Sequence, residues 1–176
     1  MDRRTFVRLA ALTGAACGVM GHSPYRQWQV YRKSRLIIVT SAAEPASYPL
    51  GEAVATLLAL HLPESRALVA RAADSLAIVK LLGSDQLDLA ILSADDARDA
   101  HDGRARFAAE GPLALRALAV LGPYLFVCRE DFPTPKAQAV SRTLAAHWRD
   151  GGGLPPAPPS IPLHTGVADQ RPGGNP

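Results

Sequence analysis

The side chains with reach for chemistry are hydroxyls and carboxylates. Ser41, Ser47, Ser75 and Ser93 each offer a hydroxyl, and Asp95, Asp96, Asp99 and Asp102 crowd one short stretch. None of these serines stands in Gly-x-Ser-x-Gly, the sharp turn that exposes a nucleophile, and spacing places no histidine as its base. They read as capping and turn residues. The aspartates match no calcium-binding loop. A solvated acidic face that favours a helix N-terminus accounts for them. His22, His61, His101, His147 and His164 lack metal-ligand spacing. The loop after the first apolar run is Ser41-Ala42-Ala43-Glu44-Pro45, without the glycines that let a backbone approach a pyrophosphate, and there is no P-loop. The expectation is a protein that is not an enzyme and needs neither metal nor cofactor.

These residues sit at the ends of alternating elements. Leu36-Ile37-Ile38-Val39-Thr40 is a continuous apolar run, as in a strand covered on both faces. Pro49 suits a first helical turn, and Val54, Leu57, Leu58 and Leu62 follow at helical spacing. Residues 67–70 read as a second strand. Asp74 caps a helix that buries Leu76, Val79 and the Lys80 stem and ends at Leu82-Gly83. Residues 87–92 form a third strand, and Ser93-Ala94-Asp95-Asp96 is a loose capping box that opens a helix to about Ala100. Residues 101–112 read as a loop. Residues 115–121 and 124–129 are strands split by Gly122-Pro123, and residues 136–148 form a helix with Ala137, Val140, Leu144 and Trp148 on one face. The order predicts an α/β fold: a single lobe with a mostly parallel sheet and helices on both faces. Cys128 reads as a small core hydrophobe within a strand.

The termini differ from the body. Residues 1–21 carry Arg3, Arg4 and Arg8 against Asp2, then a short apolar stretch, so they supply most of the formal net charge of +3. A basic n-region before a short apolar segment is a signal peptide. Arg3-Arg4-Thr5-Phe6-Val7-Arg8 resembles a twin-arginine export signal, which implies a periplasmic body. Gly14-Ala15-Ala16-Cys17 is close to a lipoprotein box. Lipidation of Cys17, or retention of the leader, would tether the domain to the membrane. With the leader set aside the body is almost neutral, which excludes a basic nucleic-acid surface. Residues 22–35 read as a linker, 36–150 as the domain, and 151–176 as a disordered tail rich in proline and glycine. Within that tail, Ser160 to Gly166 is the segment expected to dock.

Several stretches together resemble the first lobe of the TAXI-type solute receptors of TRAP transporters, which are two-lobed periplasmic binding proteins. They are Ile37-Ile38-Val39-Thr40 followed by Ser47-Tyr48-Pro49-Leu50-Gly51-Glu52-Ala53, Ser75 with Leu81-Leu82 and residues 86–91, Asp95 with Ala100 and Gly103, and residues 115–121. Residues 130–133, the following helix and residues 161–166 look like the closing segment of the same receptors, and the second lobe expected between them is absent. The resemblance implies a small-molecule solute, a carboxylate or amino acid, held by Thr40, Ser41, Ser47, Tyr48, Ser75 and Asp95 at the carboxyl edge of the sheet. Helix N-termini there suit a carboxylate. It also implies TRAP membrane subunits or another membrane complex as partners. A homodimer would complete the half-site.

Three positions depart from the pattern. Glu44 places a negative charge in the first loop, Ile78 stands where Asn is expected, and Ala94 stands where Ser is usual. Each removes a donor or adds repulsion toward an acidic ligand. Two readings therefore stand side by side: a one-lobe solute-binding domain, and a non-enzymatic accessory or interaction module with a silent ligand site.

Overall fold

The computed structural model describes residues 35–148 and 161–168, all within one unit. The signal-peptide, Cys17 and linker expectations, and most of the tail, lie outside the described residues. In chain order the elements are β1 (Ile37–Ser41), α1 (Ser47–His61), β2 (Leu68–Ala72), α2 (Ser75–Gly83), β3 (Leu89–Ser93), α3 (Ala94–Asp102), β4 (Leu115–Leu121), β5 (Tyr124–Arg129), α4 (Thr134–His147) and the single turn α5 (Thr165–Ala168). Short 3-10 turns occupy Pro63–Ser65 and Ala105–Phe107.

The five strands form one sheet in the order β2-β1-β3-β5-β4. β1 pairs in parallel with β2 and β3, whereas β5 runs antiparallel to both β3 and β4. Four strands thus share a direction and β5 reverses it. The reversal follows from Gly122-Pro123, a two-residue turn in which Gly122 has φ 63°, too short for a parallel crossover. β5 then enters between β3 and β4, and its first residue, Tyr124, lies opposite Ser93 at the carboxyl edge of the parallel strands.

Helices cover both faces. Ile38, Leu89, Ile91, Phe126 and Cys128 pack with Val54 and Leu58 of α1 and Val140 and Leu144 of α4. On the other face Val39, Ala90, Leu92, Leu125 and Val127 pack with Ile78, Val79 and Leu82 of α2, Ala97 and Ala100 of α3, and Phe107. The buried face of α2 is therefore turned from the one expected. Ile78 is at the core, while Lys80 is exposed and pairs with Glu110 at 3.5 Å. Deep burial favours Ile78 by the apolar area it removes from water. α1 approaches the sheet closely at Gly51, where a Cβ would meet Thr40 Cγ2 at 2.7 Å and Val69 Cγ1 at 3.2 Å.

The docking segment belongs to this body. Leu163 bridges Ala117 in parallel, with Ala117 N–H donating to the Pro162 carbonyl at 2.9 Å and His164 N–H to the Ala117 carbonyl at 3.0 Å. The segment lies along β4, an edge strand, and satisfies backbone groups there. Cys128 is buried, its thiol pushed well up by burial and reaching the Arg116 carbonyl at 3.5 Å, as a core residue would. Among the described residues no helix is long and apolar enough to cross a membrane.

Candidate functional site

The carboxyl ends of β1 and β3 form a switch point, because the chain leaves β1 toward β2 on one side and the sheet continues from β3 on the other. Crevices of this kind are where open α/β sheets take ligands. Five elements converge there. The loop after β1 brings Glu44, the start of α2 brings Ser75, and the first turn of α3 brings Asp96. The 3-10 turn brings Arg106, and the start of β5 brings Tyr124.

Local structure explains how each is held. Asp74 caps α2, its carboxylate accepting from Ala77 N–H at 2.7 Å, and this presents Ser75 as the first helical residue. Ser93 caps α3 by accepting from Asp96 N–H at 3.2 Å. Buried Phe107 anchors the turn that carries Arg106. The loop after β1 is stitched to the end of β2, with Ala42 N–H donating to the Ala72 carbonyl at 2.8 Å and Ala43 N–H to the Ala73 carbonyl at 3.2 Å.

The cluster is electrostatically coupled. Arg106 forms an ion pair with Asp96. Burial pushes the Glu44 carboxyl up, and the adjacent Asp96 charge and a hydrogen bond shared with Asp96 push it further, against the opposing pull of Arg106 and Tyr124. Burial also acts to raise Asp96, but Arg106, the nearby Ser75 hydroxyl and Glu44 outweigh it and hold that carboxyl below its usual range. Burial and the Glu44 charge raise Tyr124. The two close carboxyl groups shift in opposite directions because the arginine and the Ser75 hydroxyl serve Asp96, whereas Glu44 is buried beside the Asp96 charge.

Two hydroxyls complete the site. Ser41 and Ser75 are 2% and 1% exposed, and neither Oγ has a hydrogen-bond partner of ordinary geometry. Strand alternation puts Ser41 on the face of Val39, toward α2 and at the root of the loop that carries Glu44. Buried hydroxyls without partners are uncommon, and they mark this edge as incomplete.

The NMT1-like family matches residues 38–132, more than half of the chain. The chain belongs to the NMT1-like family. That family is periplasmic-binding-protein-like, in keeping with the single α/β lobe and with a solute-binding character for the domain. No curated protein matches the chain.

The NMT1-like domain sorts the six residues expected at the site into three groups. Ser41 and Ser75 lie in the crevice. Thr40, Ser47 and Tyr48 lie toward α1 and are engaged locally. The Thr40 hydroxyl donates to the Ala70 carbonyl at 3.3 Å, and Ser47 is fully buried with its hydroxyl on the Ser41 and Glu44 carbonyls. The Tyr48 ring lies 3.7 Å from the Arg71 guanidinium carbon, and a hydrogen bond to Glu52 lifts its phenol. Asp95 is the exception. Its side chain is 88% exposed and, among the described residues, pairs with Arg98 at 3.4 Å. Asp96 occupies the place expected of it.

The sequence held a signal for that exchange. Ala97 and Ala100 are the buried residues of α3, and Asp96 stands four residues before Ala100, so it faces inward. Arg106 and Tyr124 carried no such signal, since one lies in a turn without periodicity and the other at the tip of a hairpin. A groove of about 820 Å³ between α2 and residues 110–113 is lined by none of the cluster residues. Among the described residues no group of three or more side chains is arranged to hold a metal.

Proposed function

We propose that this domain is an exported, non-enzymatic solute-binding component of a TRAP-type transport system, working in the periplasm and taking a small organic acid or amino acid at the carboxyl edge of its sheet. The observation that carries the reading is the pair of buried hydroxyls, Ser41 and Ser75, neither in a hydrogen bond of ordinary geometry, beside the Glu44–Asp96–Arg106 cluster at the switch point. Family membership supports solute binding. The TAXI resemblance supports the transport system, and Arg3-Arg4 ahead of an apolar stretch supports the export route.

The test is thermal unfolding of the full chain against amino acids, mono- and dicarboxylates, amines and sugars. A ligand at 100 times its dissociation constant stabilises the fold by about 2.7 kcal/mol, and that gain should be lost in Ser75→Ala. No shift with any member of the panel overturns the reading. Export is tested separately: replacing Arg3 and Arg4 together by lysine should leave the protein in the cytoplasm.

A second reading is favoured by one observation. The N-termini of α2 and α3 are already capped by Asp74 and Ser93. An accessory module with a silent site would show this, and it would bind a protein partner while ignoring every solute.

A further inference from the structure

We propose that the ligand is gripped by a cationic group, a primary ammonium or a guanidinium, seated between the Glu44 and Asp96 carboxylates, with the Ser41 and Ser75 hydroxyl oxygens as further acceptors. This rests on the solute-binding reading and names the end of the solute that the site recognises.

Many of the donors an anion could use are already engaged. Ala77 N–H in the first turn of α2 is taken by Asp74, and Asp96 N–H in that of α3 by Ser93. At α1 the third residue is Pro49, which has no N–H, and Ser47 N–H donates to the Glu44 carbonyl at 2.9 Å. Ala42 and Ala43 give their N–H groups to the end of β2, Glu44 N–H points back to the Ser41 carbonyl at 3.4 Å, and residue 45 is proline. The one cation of the cluster, Arg106, is bonded to Asp96. A carboxylate entering here would have to share that arginine with Asp96, beside a second carboxyl.

Acceptors remain. Glu44 and Asp96 come from different elements, lie within hydrogen-bonding reach of each other and have a single arginine between them. The groups facing Glu44 are Asp96 from α3, Arg106 from the 3-10 turn and Tyr124 from β5, and Asp74 from α2 also acts on Arg106. Two carboxyls and one arginine leave room for one more positive charge. A bound ammonium or guanidinium supplies it. Ser41, buried and without a partner, and Ser75, whose hydroxyl lies near Asp96, add neutral oxygens that an N–H donor can use.

The experiment is calorimetric titration of the full chain with a matched set: n-butylamine, 1,4-diaminobutane and agmatine as cations, butyrate and succinate as anions, and γ-aminobutyrate bearing both charges. The cations and γ-aminobutyrate should bind, and more tightly at pH 7.5 than at pH 5, where protonation begins to remove the Glu44 charge. Glu44→Gln, which removes a like charge and so keeps the fold, should weaken them about tenfold or more. Binding of succinate or butyrate without binding of the amines overturns this inference and leaves the solute-binding reading standing. Amine binding that is unchanged in both Glu44→Gln and Asp96→Asn also overturns it. Binding of no member, together with a silent wider panel, overturns both.

Discussion

The Ser47 hydroxyl is shared between the Glu44 carbonyl, at 2.8 Å, and the Ser41 carbonyl, at 3.1 Å. One buried side chain at the start of α1 thus fixes both ends of the loop that presents Glu44 to the crevice. Ser47 touches no part of the cluster's charged chemistry. It is a positioning residue.

Ser47→Ala should therefore separate stability from binding. Both carbonyls keep a backbone donor, Ser47 N–H on Glu44 and Glu44 N–H on Ser41, so no acceptor is orphaned. The expected loss of stability by denaturant unfolding is about 1 kcal/mol. Amine affinity should fall several-fold beyond that structural cost, because the loop no longer holds Glu44 at one angle. An unchanged affinity removes the positioning role.

Glu44→Gln should stabilise the free protein, and the gain should depend on pH. Burial, followed by the Asp96 charge, raises the folded-state value of Glu44 above its unfolded value. Such a group contributes stability below the unfolded value, about 4.3 for glutamate, and loses it as pH rises through the raised folded value. Wild type is therefore penalised at neutral pH by ionising Glu44, and the glutamine variant is not. The difference in unfolding midpoint should be largest near pH 7–8 and vanish below about pH 4. A site that lowers the stability of its own fold is one in which the strained groups face a ligand.

The two aspartates at the start of α3 should differ in what their loss costs. Asp96 is held below its usual range although burial works against it, so it contributes stability above the unfolded aspartate value and loses it as pH falls through the lowered folded one. Asp96→Asn should cost about 1–2 kcal/mol at neutral pH, since its carboxylate is mostly buried while Arg106 is half exposed. Asp95→Asn, at an exposed pair one turn from Arg98, should change stability by less than about 0.5 kcal/mol. Urea titrations of both variants at neutral and acid pH give the comparison.

Why the lobe was readable and the cluster was not follows from these residues. Periodicity marks what faces a core, so β1, α1 and α4, the caps at Asp74 and Ser93, and the Gly122-Pro123 turn could be placed from the chain alone. A mostly parallel sheet was expected, and the same two-residue turn makes β5 the strand that reverses and thereby delivers Tyr124 to the crevice. The crevice gathers Glu44, Asp96, Arg106 and Tyr124 from four separate segments, and no local pattern records their meeting. Hydroxyls near a strand end all look alike in a sequence. Only the pleat separates Ser41, which faces α2, from Thr40, which packs against Gly51 of α1.

The docked segment offers a last test with a local readout. Gly166 lies against α4, where a Cβ would meet Gln138 Cγ at 2.9 Å and the Thr134 carbonyl oxygen at 3.0 Å. Its N–H donates to His164 Nδ1 at 3.1 Å, while His164 Nε2 reaches the Phe132 carbonyl at 2.9 Å, so the proton sits on Nε2. The backbone oxygen of Thr134 cannot move without disturbing the first turn of α4, so the clash is relieved by displacing the segment. Gly166→Ala should cost about 1–3 kcal/mol. More tellingly, it should release the Ala117 amide, whose bond to Pro162 closes the β4 edge. Hydrogen exchange should speed at Ala117 and leave the β1 and β3 amides nearly as protected as before, because those strands are paired on both sides within the sheet. Equal acceleration across the sheet would show instead that the segment and the lobe unfold as one unit.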